Sequence, residues 1–348
     1  MQAHTSASQG ARAAAMTMIL YPEKLYDDDY VEREVYGRKA RAVFRGLTAM
    51  ADVADADCDA EGLAIHGLRV TAADIARFAK LRVIVRMGVG YDGVDRAAAA
   101  ARGIMVCNVP DYGTTEVADH AIAMALALRR GLLLHHDLQR GPAPAAWKAI
   151  TTPLIRRSGV QTFGIIGLGR IGTAVALRAK VFGFNVVFFD PHRLNGAELA
   201  LGIGRAKTLQ ALLLQADVLS VHAPNTPETW GMLGLGELSV LPYGAIVVNT
   251  ARGPIIDIDA LGALMQEGHI AGAGLDVLPV EPPADPLPAL LRAYRERAEW
   301  LVGRLIVTPH SAFHSPEAWD DIRRKSAETM AAALIHGKPQ NIITPEMY

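Results

Sequence analysis

The chain has 348 residues, 51% of them apolar and 20% charged, and a formal net charge of −1. That length favours two domains over one core, and a near-neutral chain without a polybasic block implies neither nucleic acid nor a membrane surface as partner. Two cysteines, Cys58 and Cys107, are too few for a disulfide framework or a thiolate metal cluster, and no apolar run approaches a membrane span.

The opening residues 1–17 are polar and rich in Ala and Ser, without the apolar core of a secretory signal. They are expected to form a disordered leader on a cytoplasmic protein. Thr17 to Leu20 is the first strand candidate. A helical stretch is expected near Asp28 to Leu47, a strand over Gly62 to Ile65 and a helix over Ile75 to Ala79. The strand Leu81 to Val85 runs into a glycine-rich loop, RMGVGYDGVD, from Arg86 to Asp95. A helix from Arg96 to Ala101 and a strand from Ile104 to Cys107 follow, and Asn108-Val109-Pro110 breaks the chain. A long helix is expected from Thr115 to Arg130, with Thr114 or Thr115 as N-cap and Asp119 near the capping-box position. A more polar stretch with Gly141, Pro142 and Pro144 leads to Trp147.

The next segment, FGIIGLGRIGTAVALRAKVFGFNVVFFD, spans Phe163 to Asp190. It reads as strand, glycine turn, helix, strand and acid. Gly167, Gly169 and Gly172 have G-x-G-x-x-G spacing. They would provide a tight turn, close backbone approach to a pyrophosphate, and close helix–strand packing. The helix beginning there would aim its first N–H groups at the phosphates. Asp190 stands 18 residues beyond Gly172. A carboxylate there accepts bonds from both ribose hydroxyls of NAD and repels the extra phosphate of NADP.

Beyond Asp190 the strand–helix alternation continues, with strands expected at Val218 to His222, Ala245 to Val248, Ala271 to Leu275 and Arg304 to Val307. Parallel sheets bind ligands at the C-terminal ends of their strands, so the residues that follow each strand are the candidates for chemistry. His222 follows the first of these and is placed on the adenine side. Thr250 and Arg252 follow the second, in NTARG. Asp276 and then Glu281 follow the third, in DVLPVEPP, and His310 follows the last. A guanidinium can hold a carboxylate with two parallel bonds. A histidine can exchange a proton near neutral pH, and a neighbouring carboxylate favours and orients its imidazolium. His120 reads as a helix-contact residue, and His135-His136 lacks companions at metal spacing, so no metal is expected. The final stretch, Glu317 to His336, is expected to be a helix that folds back on the first domain.

The set GxGxxG, Asp190, NTARG, DVxxxEP and TPH resembles the D-isomer-specific 2-hydroxyacid dehydrogenase family over about residues 80 to 330. The wording GLGRIGTAVALRAKVFGFNVVFFDP looks closest to the C-terminal-binding-protein branch. The resemblance implies Arg252 as substrate clamp, Glu281 as orienting acid and His310 as acid/base. It implies that Gly88, Val89 and Gly90 offer N–H groups to a substrate carboxylate. It also places Thr115 and Asp276 near the nicotinamide, and Arg170 and Ile171 over the pyrophosphate; Thr250 is grouped with them on the cofactor edge. Two positions depart from the family pattern: Gly93 stands where its loop often carries Asn, and Phe313 stands where the co-repressor branch carries Trp. No role is assigned to the charged stretch Leu290 to Trp300.

The expected architecture is α/β, with two Rossmann-like parallel domains. An NAD-binding domain at 118–311 would be inserted into a discontinuous substrate domain at 18–117 and 312–348. The expected activity is NAD-dependent interconversion of a D-2-hydroxy acid and its 2-keto acid, by a homodimer. The rivals are an NAD(H)-sensing, co-repressor-like interaction protein and a phosphoglycerate dehydrogenase.

Overall fold

In the computed structural model the described residues are 16–140 and 147–347. Most of the expected leader, and Gly141, Pro142 and Pro144, lie outside them. The chain divides into two compact units, one reaching Tyr112 and resuming over Trp319–Met347, the other Gly113–Ala318.

The first unit runs β1 (Thr17–Tyr21), α1 (Tyr30–Tyr36), β2 (Ala40–Phe44), β3 (Gly62–Ile65), α2 (Ala72–Arg77), β4 (Val83–Arg86), α3 (Arg96–Ala101) and β5 (Met105–Asn108). Its five strands are parallel in the order β2-β1-β3-β4-β5. The helix expected over Asp28 to Leu47 is thus two elements. Gly37 ends α1 at φ +57°, a conformation glycine adopts without penalty, and the chain re-enters the sheet as β2. Ala40 and Val43 are buried there, and β2 pairs with β1 in continuous register. Leu20, Leu63, Ile65, Phe78 and Ile84 lie in the core of this unit.

The second unit runs α4 (Thr114–Arg129), α5 (Leu132–Arg140), β6 (Thr162–Ile166), α6 (Arg170–Val181), β7 (Asn185–Phe189), α7 (Ala197–Leu201), β8 (Gly204–Arg205) and α8 (Leu209–Leu213). It continues with β9 (Val218–Val221), α9 (Leu235–Ser239), β10 (Ala245–Asn249), α10 (Ile258–Gln266), β11 (Ile270–Leu275), α11 (Ala289–Arg295) and β12 (Leu305–Val307). The seven strands are parallel in the order β12-β11-β10-β9-β6-β7-β8, with apolar clusters packed around them. From β6 the chain winds outward one way to β8, then returns to β9 on the other side of β6. That reversal opens a crevice at the C-terminal ends of β6 and β9, the usual ligand position in such sheets.

The expected capping of α4 is corrected, and the stretch left without a role gains one. Gly113, not a threonine, precedes α4, and no side chain caps it. Thr115 donates instead to Glu116 at 2.7 Å, and Asp119 takes Arg178 Nε at 2.6 Å. The stretch Leu290 to Trp300 contributes α11, whose Leu290 and Leu291 are buried. A Cβ on Gly262 of α10 would come 3.0 Å from Leu290 Cβ, so α11 serves as a tightly packed cover for α10.

The last helix, α12 (Pro316–Leu334), carries the chain back to the first unit. Its Ile322, Ala327 and Met330 are fully buried. Burying a side chain the size of Ile322 or Met330 contributes about 1.5–3 kcal/mol. A Cβ on Gly62 of β3 would lie 2.7 Å from Leu334 and 2.8 Å from Met330, so glycine there lets helix and sheet approach. Among the described residues no helix is long and apolar enough to cross a membrane, and no group of three His, Cys, Asp or Glu side chains could hold a metal ion.

Candidate active site

The glycine turn after β6 is shaped by sterics. Gly167 has φ +88°, and a Cβ there would sit 2.7 Å from the backbone N of Ala223. A Cβ on Gly172 would sit 2.0 Å from the carbonyl oxygen of Gly167. Over Gly169 nothing lies within 4 Å. That space faces the start of α6, where the first N–H groups have no partner within the helix. An open cradle with helix N–H donors suits the pyrophosphate of a dinucleotide. Arg170 and Ile171, which open α6, are exposed and half-buried. Asp190, at the end of β7, accepts from Leu168 N at 2.8 Å and His192 N at 2.9 Å, one bond on each oxygen. The remaining lone pairs stay available to hydroxyl donors.

Polar atoms line the loops after β9 and β10. His222 Nε2 meets Ser220 Oγ at 2.8 Å, while its Nδ1 is buried without a partner. Burial pushes this imidazole down to about 3, so it is neutral at working pH. Asn225 Oδ1 and Thr250 Oγ1 are likewise buried without partners among the described residues. Buried polar atoms left unpaired in a native chain ask for an explanation, and a bound polar ligand provides one. Asn225 escaped sequence reasoning, for no spacing marks it.

Arg252, Glu281 and His310 come from three consecutive strand ends. Asn249, at the end of β10, shapes the first of these loops: its Nδ2 donates to Arg252 O at 2.9 Å and its Oδ1 accepts from Ala251 N at 3.0 Å. Arg252 is half-buried, and its Nη1 donates to Ala251 O at 2.7 Å. A Cβ on Gly253 would lie 2.0 Å from the backbone carbon of Leu278, so this loop and the one after β11 touch through their main chains. On that second loop Glu281 accepts from Leu278 N at 2.7 Å and from His310 Nδ1 at 2.6 Å. Burial pushes the Glu281 carboxyl up, but the bonds from His310 and Leu278 N outweigh it and hold the group below the usual range.

His310 has φ +52°, uncommon for a residue with a side chain. Its N–H donates to Asp276 O at 2.7 Å and Thr308 O at 3.0 Å. The Asp276 carboxylate, 2% exposed, accepts from Thr308 Oγ1 at 2.6 Å, Ser311 N at 2.9 Å and Ala312 N at 3.0 Å. His120 of α4 joins through Thr308 Oγ1 at 3.1 Å. Asp276 is therefore tied to the turn that carries His310, and Thr308 and His120 were not among the expected site residues. Phe313 stands edge-on to the His310 ring, with centroids 6.5 Å apart. Thr115, at the start of α4, is exposed.

In the first unit, β4 ends in the turn Gly88-Val89-Gly90. Gly88 has φ +137°, and a Cβ there would meet Arg86 Nη1 at 1.8 Å. The Gly88 carbonyl accepts from Val109 N at 3.1 Å and the Val89 carbonyl from Asn108 Nδ2 at 2.7 Å.

Residues 122–312 match the family model described as D-isomer specific 2-hydroxyacid dehydrogenase, NAD binding domain, which is more than half of the chain. The chain belongs to the D-isomer-specific 2-hydroxyacid dehydrogenase family. It is an oxidoreductase of that family and carries an NAD-binding domain. It is 37% identical over 277 residues to a glyoxylate reductase of Korarchaeum cryptofilum, covering 77% of each chain. It is 36% identical over 282 residues to a D-3-phosphoglycerate dehydrogenase of Mycobacterium leprae, covering 79% of this chain and 49% of that one. An NADPH-dependent glyoxylate/hydroxypyruvate reductase of Sinorhizobium meliloti, solved with NADP and malonate, superposes with a TM-score of 0.80 at 30% identity, covering 94% of this chain and 97% of that chain.

Proposed function

We propose that this enzyme reduces a small 2-keto acid to the D-2-hydroxy acid with NADH, and runs the reverse reaction with NAD. The observation that supports the reading best is the 2.6 Å contact between His310 Nδ1 and Glu281 Oε2. With Nδ1 engaged, Nε2 is the ring atom that hands a proton to the new alkoxide, or takes one from the hydroxyl. The bound cofactor supplies the hydride. Gly167, Gly169, Arg170, Ile171 and Gly172 hold its pyrophosphate, and Asp190 its ribose hydroxyls. His222, Asn225 and Thr250 serve the crevice after β9 and β10, and Thr115 and Asp276 the nicotinamide end. Arg252 clamps the substrate and polarises its carbonyl. Within the first unit, the Gly88-Val89-Gly90 turn offers N–H donors that suit a carboxylate.

Gly113–Ala318 then acts as the NAD-binding domain and the other unit as the substrate domain. The similarity to a glyoxylate reductase favours a keto acid of that size. The similarity to a phosphoglycerate dehydrogenase supports a second substrate reading, a phosphorylated hydroxy acid. A homodimer is part of the proposal: α5 buries none of its own side chains, and Leu132 and Trp147 are 59% and 94% exposed. Light scattering of the purified protein reads that assembly directly.

Steady-state assays over glyoxylate, hydroxypyruvate and pyruvate with NADH, and D-3-phosphoglycerate with NAD, decide the substrate class. His310→Ala should lower kcat about 10²- to 10⁴-fold with NADH affinity nearly intact. Reduction consumes a proton and oxidation releases one, so the two rates should cross in opposite directions over one pH interval. Glu281→Gln should lower kcat with NADH affinity nearly intact, because the His310 ring loses the carboxylate that holds it by Nδ1. A near-normal kcat in His310→Ala removes His310 from the reaction.

A further inference from the structure

The turn Gly88-Val89-Gly90 has no helix behind it to orient its donors, yet its orientation is defined. A trans peptide is planar, and its C=O and N–H point in opposite directions. Fixing one carbonyl therefore aims the N–H of the following residue. Val109 N takes the Gly88 carbonyl at 3.1 Å, which turns the Val89 N–H the opposite way. Asn108 Nδ2 takes the Val89 carbonyl at 2.7 Å, which does the same for the Gly90 N–H. Among the described residues no backbone carbonyl takes either N–H.

Asn108 is held in turn. It is 4% exposed and ends β5 opposite Arg86 of β4. Its backbone N–H donates to Asn341 O at 3.1 Å, and Ile343 N donates to Val106 O at 2.8 Å beside it. Cys107 and Ile342 form an antiparallel bridge between the same segments. The segment after α12 thus grips the end of β5 from the side away from β4. The amide of Asn108 is left to face the turn.

We infer that Asn108 is a positioning residue for the reaction, which acts by aiming the Gly90 N–H at the substrate carboxylate. This rests on the proposed role of the turn. It assigns the two donors to separate controls: Val89 N–H to the backbone of Val109, and Gly90 N–H to one side chain. Asn108→Ala leaves the Val89 carbonyl unpinned. Asn108→Asp keeps the size but sets an acceptor against that carbonyl.

Both variants should raise the KM for the keto acid about 10- to 100-fold, the range for losing a hydrogen bond to a charged group. The KM for NADH should change less than about twofold, within the scatter of an untouched site. The decisive measurement follows the backbone amides of Gly90 and Val89 by NMR, in protein labelled with ¹⁵N-glycine or ¹⁵N-valine. Oxamate, an unreactive carboxylate analogue of a keto acid, is titrated in with NADH present. In the parent protein both amides should shift. In Asn108→Ala the Gly90 response should be lost and the Val89 response kept. If neither amide moves in the parent protein, the turn does not take the carboxylate and the underlying reading falls. If the parent responds and Asn108→Ala responds equally with an unchanged KM, that reading stands and the role of Asn108 is overturned. Loss of both responses together with a lower Tm makes Asn108 a structural residue only and equally overturns the role.

Discussion

Two glycine turns, one in each unit, end a parallel strand and present backbone donors, and they are built in opposite ways. The turn after β6 is made by exclusion. Gly167 and Gly172 are required because backbone atoms occupy the space a Cβ would need, and the donors are oriented by α6, a helix of 12 residues. The turn after β4 is made by hydrogen bonds. Its Gly88 faces a flexible Arg86 side chain, and its donors are oriented through carbonyls held by Asn108 and Val109. A helix N-terminus adds a dipole and several N–H groups, which suits a diphosphate. Two pinned peptides offer two donors at one place, which suits a single carboxylate.

The comparison can be broken by adding one methyl group to each turn. Gly172→Ala places a Cβ against a rigid carbonyl at 2.0 Å, so the turn must shift. A core overpacked at a cost of about 3 kcal/mol corresponds to a loss of NADH affinity on the order of 100-fold. Gly88→Ala meets side-chain ends, of Arg86 and at 3.4 Å Tyr112, rather than backbone, but at φ +137°. Strain of about 1–3 kcal/mol should lower Tm and raise the KM for the keto acid, with NADH affinity kept. Fluorescence titration with NADH and a thermal melt separate the two. Equal losses of NADH affinity in both variants would mean that the turns are not independent.

A smaller effect is expected at Asp190. It joins the two functions of the β6 turn, since it accepts Leu168 N within the turn and remains able to accept ribose hydroxyls. Asp190→Ala should narrow or reverse the ratio of kcat/KM for NADH over NADPH, by loss of repulsion toward the extra phosphate. An unchanged ratio would show that Asp190 belongs to the turn alone.

The last effect concerns the pH dependence of stability at His222, next to the same turn. Its folded value, about 3, lies below that of an unfolded histidine, about 6.5. Above pH 6.5 both states are neutral and the group adds no pH dependence. Between 6.5 and 3 the unfolded chain binds a proton that the folded chain refuses, so stability falls as pH falls, by at most about 1.4 kcal/mol per unit. His222→Asn should flatten urea-derived stability between pH 6 and 4. A slope equal to that of the parent would show that His222 is charged in the fold.

How far these features could be read in advance depended on the range of the interaction. The glycine spacing, Asp190 and the loop positions of Arg252, Glu281 and His310 were legible because each is a local pattern behind an apolar strand. β2 was missed because Ala40–Phe44 follows a helix-like run with only Gly37 to mark the break. Asn108, Asn249 and Asp276 share a role that no local pattern shows. Each is polar, ends or follows a buried strand, and orders a loop at a strand end. Asn249 holds its own loop, within three residues, whereas Asn108 reaches Val89 and Asp276 reaches Ser311 and Ala312.

The amino-acid sequence by itself determined the alternation of parallel strands and helices, the dinucleotide turn and the strand-end positions of Arg252, Glu281 and His310. These follow from burial periodicity and from backbone conformations that only glycine adopts cheaply, both of which act over a few residues. Tertiary structure alone decided that β9 lies beside β6 and that His310 Nδ1 meets Glu281 across 29 residues of chain. It also decided where the donors of the Gly88 turn point. Strand order and side-chain pairing depend on which distant segments share a sheet edge, and a peptide plane takes its direction from whatever holds its carbonyl.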